Sequence, residues 1–399
     1  MASPAPPRHP GSTRPHPDRP PFLPFPAAEY RRRLARVREA LAREGIPGLL
    51  VFGGPRASGF LRYLTNFDSW VGHSTLLVLP GSEPILITDS LFRGNLEQSG
   101  AALSWVRDLR AARPGSLELD GLIWQVTSAV RSHLGSGEAL GVVGEEWLPP
   151  ALAARLAELL PDYHLGDVTR HLQEVKAIKS AAELRLIRRL VRAGEAGLRA
   201  GRAALRPGAT EAAVAGAAVG AMFSAGADNL HGPLPLSVAS GPRTRLKNVP
   251  PTGRAIRRGE LILLALEPEL HGYGADLTRT WPCGSPTLAG GTALDALERV
   301  RAAVQPALRP DTPLRALQAV IRSQSTRVRR VGRLEVLVRG VGTTKSRELP
   351  GPGDSDLPLA PGMVLTLECV LSGERWGCAA LEDCVLITRQ GCERLSREP

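Results

Sequence analysis

LAPGMVLTLECVL, residues 359–371, and CAALEDCVLIT, residues 378–388, are the two stretches on which the reading of this chain turns. Each is an apolar run that reads as a buried β-strand, and each is interrupted by one acid, Glu368 in the first and Glu382 in the second. An ionised carboxylate in such a place costs several kcal/mol unless a cation meets it. Asp276, in the Gly-rich and aromatic hairpin ELHGYGADLTRTWPCG (269–284), supplies a third acid for the same pocket. The question the sequence poses is which cation the chain provides.

At 399 residues the chain exceeds the usual size of one hydrophobic core, so two domains are expected. The formal charge of +11 rests almost entirely on arginine, since Lys176, Lys179, Lys247 and Lys345 are the only lysines. That skew, with abundant Ala, Gly, Leu and Pro, resembles the codon bias of a GC-rich genome. No basic block is interleaved with aromatics, which argues against a nucleic-acid partner. The cysteines, Cys283, Cys369, Cys378, Cys384 and Cys392, are odd in number and lack paired spacing, which argues against a secreted disulfide framework. No apolar run approaches a membrane span and the N-terminus has no signal-peptide core, so a cytoplasmic protein without a membrane partner is expected.

Residues 1–27 form a Pro- and Arg-rich tail with almost nothing to bury, expected to be disordered. YRRRLARVREALAREG (30–45) then reads as a helix and IPGLLVFG (46–53) as a strand. STLLVLP and PILIT, joined by a Pro-Gly turn, read as a hairpin; LGVVGEE (140–146) reads as a strand before a helix at 148–161. Strands and helices alternating in this way predict an α/β domain over 28–170. Beyond it, HLQEVKAIKSAAELRLIRRLVRAGEAGLRAG (171–201) reads as one long helix with Leu184, Ile187, Val191 and Leu198 on a common face. Helices grouped with antiparallel strands predict an α+β domain over 171–399.

Several segments together resemble the creatinase and Xaa-Pro aminopeptidase (prolidase-like, peptidase M24) family. FLRYLTNF (60–67) resembles the start of its N-terminal domain; EVKAIKSAAELRLIRR (174–189) and LRPGATE (205–211) resemble the linker and first helix of its C-terminal domain. SGPRT, HGYGADLTRT, RGVG, LAPGMVLTLE and ALEDCVLIT follow in family order. The resemblance implies an α/β N-terminal domain, an α+β pita-bread C-terminal domain and a homodimer. In the family's metallopeptidases two Asp, one His and two Glu hold two divalent ions. Asp276, Glu368 and Glu382 match three of those five positions. The other two positions fall on Ala265 and Arg339, and the histidine that follows the SG motif falls on Asn248. An alanine cannot coordinate, and an arginine is a permanent cation without an acceptor lone pair.

Arg339 is therefore expected among Asp276, Glu368 and Glu382 as the missing cation, paired through its planar fork, with one carboxyl held protonated near neutrality. His231 and His271 are further catalytic candidates, each equally explained as a loop or packing residue. His73, Trp70, Arg243, Lys247 and Asn248 are the substrate-binding candidates, the first two through the capping domain of a partner subunit that the resemblance implies. The expected function is a repurposed, metal-independent enzyme acting on a small amide, amidine or amino-acid-like molecule. C–N hydrolysis, elimination or cyclisation would fit, and a role in specialised metabolism is open. Two alternatives stand beside it. One is a non-catalytic binding scaffold. The other is a residual mononuclear Xaa-Pro-type metallopeptidase with a single Mn, Co or Zn on Asp276, Glu368 and Glu382, assisted by Glu267 or a cysteine.

Overall fold

The computed structural model describes residues 23–54, 58–68, 72–88, 104–111, 118–144, 150–230, 236–344, 348–351, 354 and 356–397. The chain divides into two compact units, residues 1–167 and 168–399.

In the first unit the strands are β1 (Gly48–Gly53), β2 (Ser74–Val78), β3 (Ile85–Thr88), β4 (Asp108–Ala111), β5 (Ala139–Val143) and β6 (His164–Asp167). They form one mixed sheet in the order β4-β3-β2-β1-β5-β6. The expected hairpin is β2–β3, antiparallel with Leu76 opposite Leu86. Helices α1 (Ala27–Arg43), α2 (Gly59–Thr65), α3 (Glu118–His133) and α4 (Pro150–Leu159) accompany the sheet. Leu122, Val126 and Val130 of α3 share a core with Leu50, Leu77 and Ile87 of the strands. Arg33 of α1 is buried, donates to the Tyr63 carbonyl at 2.9 Å and lies over the Phe25 and Tyr63 rings.

The second unit opens with a departure from the single long helix expected at 171–201. Helix α5 (Thr169–Ala177) stops and α6 (Ala181–Ala203) starts afresh, because Ser180 and Glu183 form a reciprocal capping box. The break lets Ile178 bridge to Met363 in the sheet. It also turns Lys176 and Lys179 inward onto the buried Glu348, at 2.8 and 3.8 Å. Thr344 completes that cluster: its N–H and hydroxyl donate to Glu348 at 2.9 and 2.8 Å.

Helix α7 (Glu211–Ser224), β7 (Asn229–Leu230), β8 (Leu236–Ser240), β9 (Leu261–Leu266), β10 (Pro268–Leu270), β11 (Tyr273–Gly274) and β12 (Leu277–Pro282) follow. Next come α8 (Leu288–Val304), α9 (Leu317–Val328), β13 (Arg333–Gly340), β14 (Val364–Gly373), β15 (Gly377–Thr388) and β16 (Gly391–Arg394). The large sheet runs β13-β14-β15-β12-β9-β8, with β16 beside β15, and β11-β10-β7 form a small second sheet.

Period-two alternation sorts the two faces of the large sheet. Leu365, Leu367, Cys369, Leu371, Leu381, Val385 and Ile387 share a core with Ala293, Leu297, Val300 and Val304 of α8. Helix α6 approaches closely through Gly194 and Gly201, where an added Cβ would stand 2.5 Å from Leu277 and from Leu264. Directly paired residues project to the same side of a sheet, so the opposite face is read from the register. Leu337, Glu368, Glu382, Thr278, Ala265 and Ser237 form one continuous cross-strand row on that face.

Candidate active site

Glu368 and Glu382 stand directly opposite each other on β14 and β15, both almost fully buried. Arg339 lies on the same face, two residues along β13 from Leu337, which pairs Glu368. Its Nη2 is 2.9 Å from Glu382 Oε1, 3.6 Å from Asp276 Oδ2 and 3.6 Å from Glu368 Oε2. The sequence pointed to a planar, two-nitrogen pairing; instead one nitrogen is shared by three acids, because the carboxylates converge on a point rather than presenting one flat edge. Nε and Nη1 of Arg339 have no hydrogen-bond partner among the described residues, and the side chain is 33% exposed.

Lys247 supplies a second cation. Expected on the substrate approach, it ion-pairs through Nζ with Glu368 Oε1. The pocket therefore sets two cations against three carboxylates. Burial, with the neighbouring carboxylates of Glu368 and Asp276, pushes the Glu382 carboxyl up to about 8, against the opposing pull of Arg339 and Lys247. Burial also works against the charge on Arg339, but Glu382, Asp276 and Glu368 outweigh it and hold its pKa above the ordinary value. Thr278 donates its hydroxyl to Glu382 Oε2 at 3.1 Å, whereas Glu368 Oε2 accepts no hydrogen bond among the described residues.

Neighbouring elements hold these groups in place. On the helix-covered face, Arg279 donates to the Glu382 carbonyl at 2.8 Å and to Asp383 Oδ1 at 2.7 Å, fixing β15 behind the pocket. The hairpin that carries Asp276 is tied by Tyr273, whose hydroxyl donates to Glu183 at 2.8 Å, and by the Gly274 N–H on the Gly342 carbonyl at 3.0 Å. Glu211, at the start of α7, accepts from Ser240 and Thr252 and so clamps both ends of the loop bearing Lys247.

The remaining candidates are dispersed. His271 sits at the hairpin turn with φ +51, its N–H donated to Asp228 at 2.8 Å. Arg243 donates to the Pro250 carbonyl at 2.9 Å and lies 3.2 Å from Glu211. Asn248 is exposed. His73, in the first unit, lies beside Gly54. Trp70 and His231 are outside the described residues. Cys369 points into the apolar core under the helices, while Cys384 shares the pocket face and places Sγ 3.7 Å from the Asp276 carbonyl. Burial drives the Cys384 thiol well above its ordinary pKa, so it is a packed thiol rather than a thiolate ligand.

A divalent pair of the kind the resemblance implies does not fit these residues. Ala265 presents a methyl group opposite Thr278, Arg339 brings its charge to within 3.6 Å of every carboxylate, and Lys247 takes Glu368. Among the described residues no group of three or more His, Cys, Asp or Glu is arranged to hold a metal ion. Nor is any described helix long and apolar enough to cross a membrane.

Comparison with known proteins places the chain in a family. The model of the creatinase/prolidase N-terminal domain matches residues 33–178, and that of metallopeptidase family M24 matches residues 185–389. The chain is 27% identical to a probable dipeptidase PepE of Mycobacterium bovis, over 94% of this chain and 96% of that protein. It is 24% identical to the peptidase YqhT of Bacillus subtilis, over 92% of this chain and 98% of that protein. Among solved structures, an Xaa-Pro dipeptidase from Bacillus anthracis shares the fold with a TM-score of 0.78 at 22% identity, covering 93% of this chain and 98% of its own. With its α/β N-terminal domain and pita-bread C-terminal domain, the chain belongs to peptidase family M24.

Proposed function

We propose that this protein is a metal-independent member of its family that hydrolyses a C–N bond in a small amide or dipeptide-like substrate. The observation that carries the reading is the unequal surroundings of two facing acids. Glu382 is pushed up to about 8, so it is a protonated acid near neutrality, while Glu368 opposite it is ion-paired to Lys247. Such a pair, one group able to give a proton and the other to take one, is what hydrolysis of an amide requires.

In the proposed reaction the substrate carbonyl oxygen accepts from Nε and Nη1 of Arg339, which stabilise the charge that grows there. Glu368 takes a proton from the attacking water as its oxygen bonds to the carbonyl carbon. Glu382 gives its proton to the nitrogen as the C–N bond breaks. Glu368, now protonated, reprotonates Glu382 through solvent or product and closes the cycle. The choice of a C–N bond draws on the relatives, whose names are those of dipeptidases. A catalytic pocket is favoured over an inert charge network because Arg339 and Lys247 are partly exposed and the Glu368 Oε2 atom accepts no hydrogen bond among the described residues.

The test is turnover of a panel of dipeptides, including Xaa-Pro, and of simple amides, with and without a chelator. The reading expects turnover that a chelator leaves unchanged and that Glu368→Gln and Glu382→Gln each reduce by at least ~100-fold. Turnover abolished by the chelator would favour the mononuclear metallopeptidase; no turnover at all would favour the binding scaffold. A homodimer is part of the proposal, and sedimentation equilibrium checks it.

A further inference from the structure

We propose that Lys247 is a tethered second cation that, together with Arg339, takes the place of a divalent ion pair and excludes metal from the pocket. This deepens the reading above, in which Arg339 stands where a ligand would. Lys247 reaches Glu368 from an unusual backbone. Its φ of +50 and ψ of −68, with the Asn248 N–H donated to the Leu246 carbonyl at 2.6 Å, describe a γ-turn of the rare, strained hand, centred on a residue with a full side chain. Strain of this sort persists only where the surroundings over-determine it.

The surroundings here do so. The Lys247 N–H is held by the Thr244 carbonyl at 3.0 Å, and the Lys247 carbonyl lies 2.7 Å from Ser237 Oγ, which in turn accepts the Val249 N–H at 3.0 Å. Ser237 belongs to the same cross-strand row as Glu368 and Glu382, so the loop is anchored on the face it serves. The two cations divide Glu368 between them, Lys247 on Oε1 and Arg339 toward Oε2. A divalent ion approaching Asp276, Glu368 and Glu382 meets a fixed positive charge on either side of Glu368. A strained backbone is a costly way to place a surface lysine and a reasonable way to deliver a charge to one buried oxygen.

The test is binding of Mn2+ by isothermal titration and by thermal shift, which reads no turnover and is independent of the substrate. Native protein and Lys247→Arg are expected to show no binding and no shift. Lys247→Ala combined with Arg339→His is expected to bind Mn2+ and gain ~5 °C at saturation. Arg339→His alone, with Lys247 still in place, is expected to bind at least ~10-fold more weakly than the double variant. Equal Mn2+ affinity with and without Lys247 would overturn the proposal, as would a double variant that ignores Mn2+. Should that variant fold poorly, the near-isosteric Lys247→Gln with Arg339→His carries the same comparison. Mn2+ binding by the native protein would overturn both this proposal and the metal-independent reading, whereas equal affinity with and without Lys247 overturns the role of Lys247 alone.

Discussion

Two charge clusters in the second unit each set buried carboxylates against basic side chains, and each pushes one glutamate in the opposite direction to the other. At the junction of α5 and α6, one acid, Glu348, faces Lys176 and Lys179 and accepts two hydrogen bonds from Thr344. Burial alone would raise its pKa, but the two ammonium groups and the hydrogen bonds hold it at about 2. On the open sheet face, three acids share two cations, and Glu382 is pushed up to about 8. The difference teaches that burial does not decide the outcome; the ratio of donors to carboxylates does. A surplus of donors makes a lock, and a deficit leaves a group ready to exchange a proton.

The largest expected effect comes from breaking the lock. Glu348→Gln leaves Lys176 and Lys179 buried without their anion, and denaturant unfolding should show a loss of roughly 3–5 kcal/mol. In the native protein the Glu348 contribution is fully present above its unfolded pKa of 4.5 and fades as pH falls toward 2. A change within ~0.5 kcal/mol would mean that the two clusters do not differ in kind.

Glu382→Gln should show the opposite sign. With a folded pKa of about 8 against an ordinary 4.5, Glu382 holds a proton that the unfolded chain releases, so native stability should fall as pH rises through that window. The glutamine variant lacks this slope and should be the more stable of the two at pH 8, by up to roughly 4 kcal/mol. Thermal melts at a series of pH values check this; parallel curves for the two proteins would remove the protonated acid from the account.

A smaller effect separates strain from charge at Lys247. Lys247→Gly and Lys247→Ala both lose the ion pair, but only glycine accepts a φ of +50 at little cost. The glycine variant should be more stable by ~1 kcal/mol, and equal stabilities would show that the turn is relaxed.

Much of this site was legible in the sequence because it is written in strand parity. The two acids in apolar runs, with Cys369 facing away and Cys384 facing in, follow from period two, whereas Arg339 was placed by the resemblance to the family and Asp276 by its hairpin and that resemblance. Lys247 did not follow, because its position depends on Glu211 and Ser237 clamping a loop, and a γ-turn centred on lysine has no local signature. One signal was available. In a chain with fifty basic residues only four are lysines, and Lys176, Lys179 and Lys247 all meet buried glutamates. The break between α5 and α6 was also within reach, since Ser180 and Glu183 have the spacing of a capping box.

The most direct test of the central claim, that protein cations fill this pocket in place of metal, is the metal content of the native protein after equilibration with excess Mn2+ and exhaustive dialysis. Arg339 and Lys247 on Glu382, Asp276 and Glu368 predict a substoichiometric residue of metal. One or two tightly held equivalents per chain would contradict it.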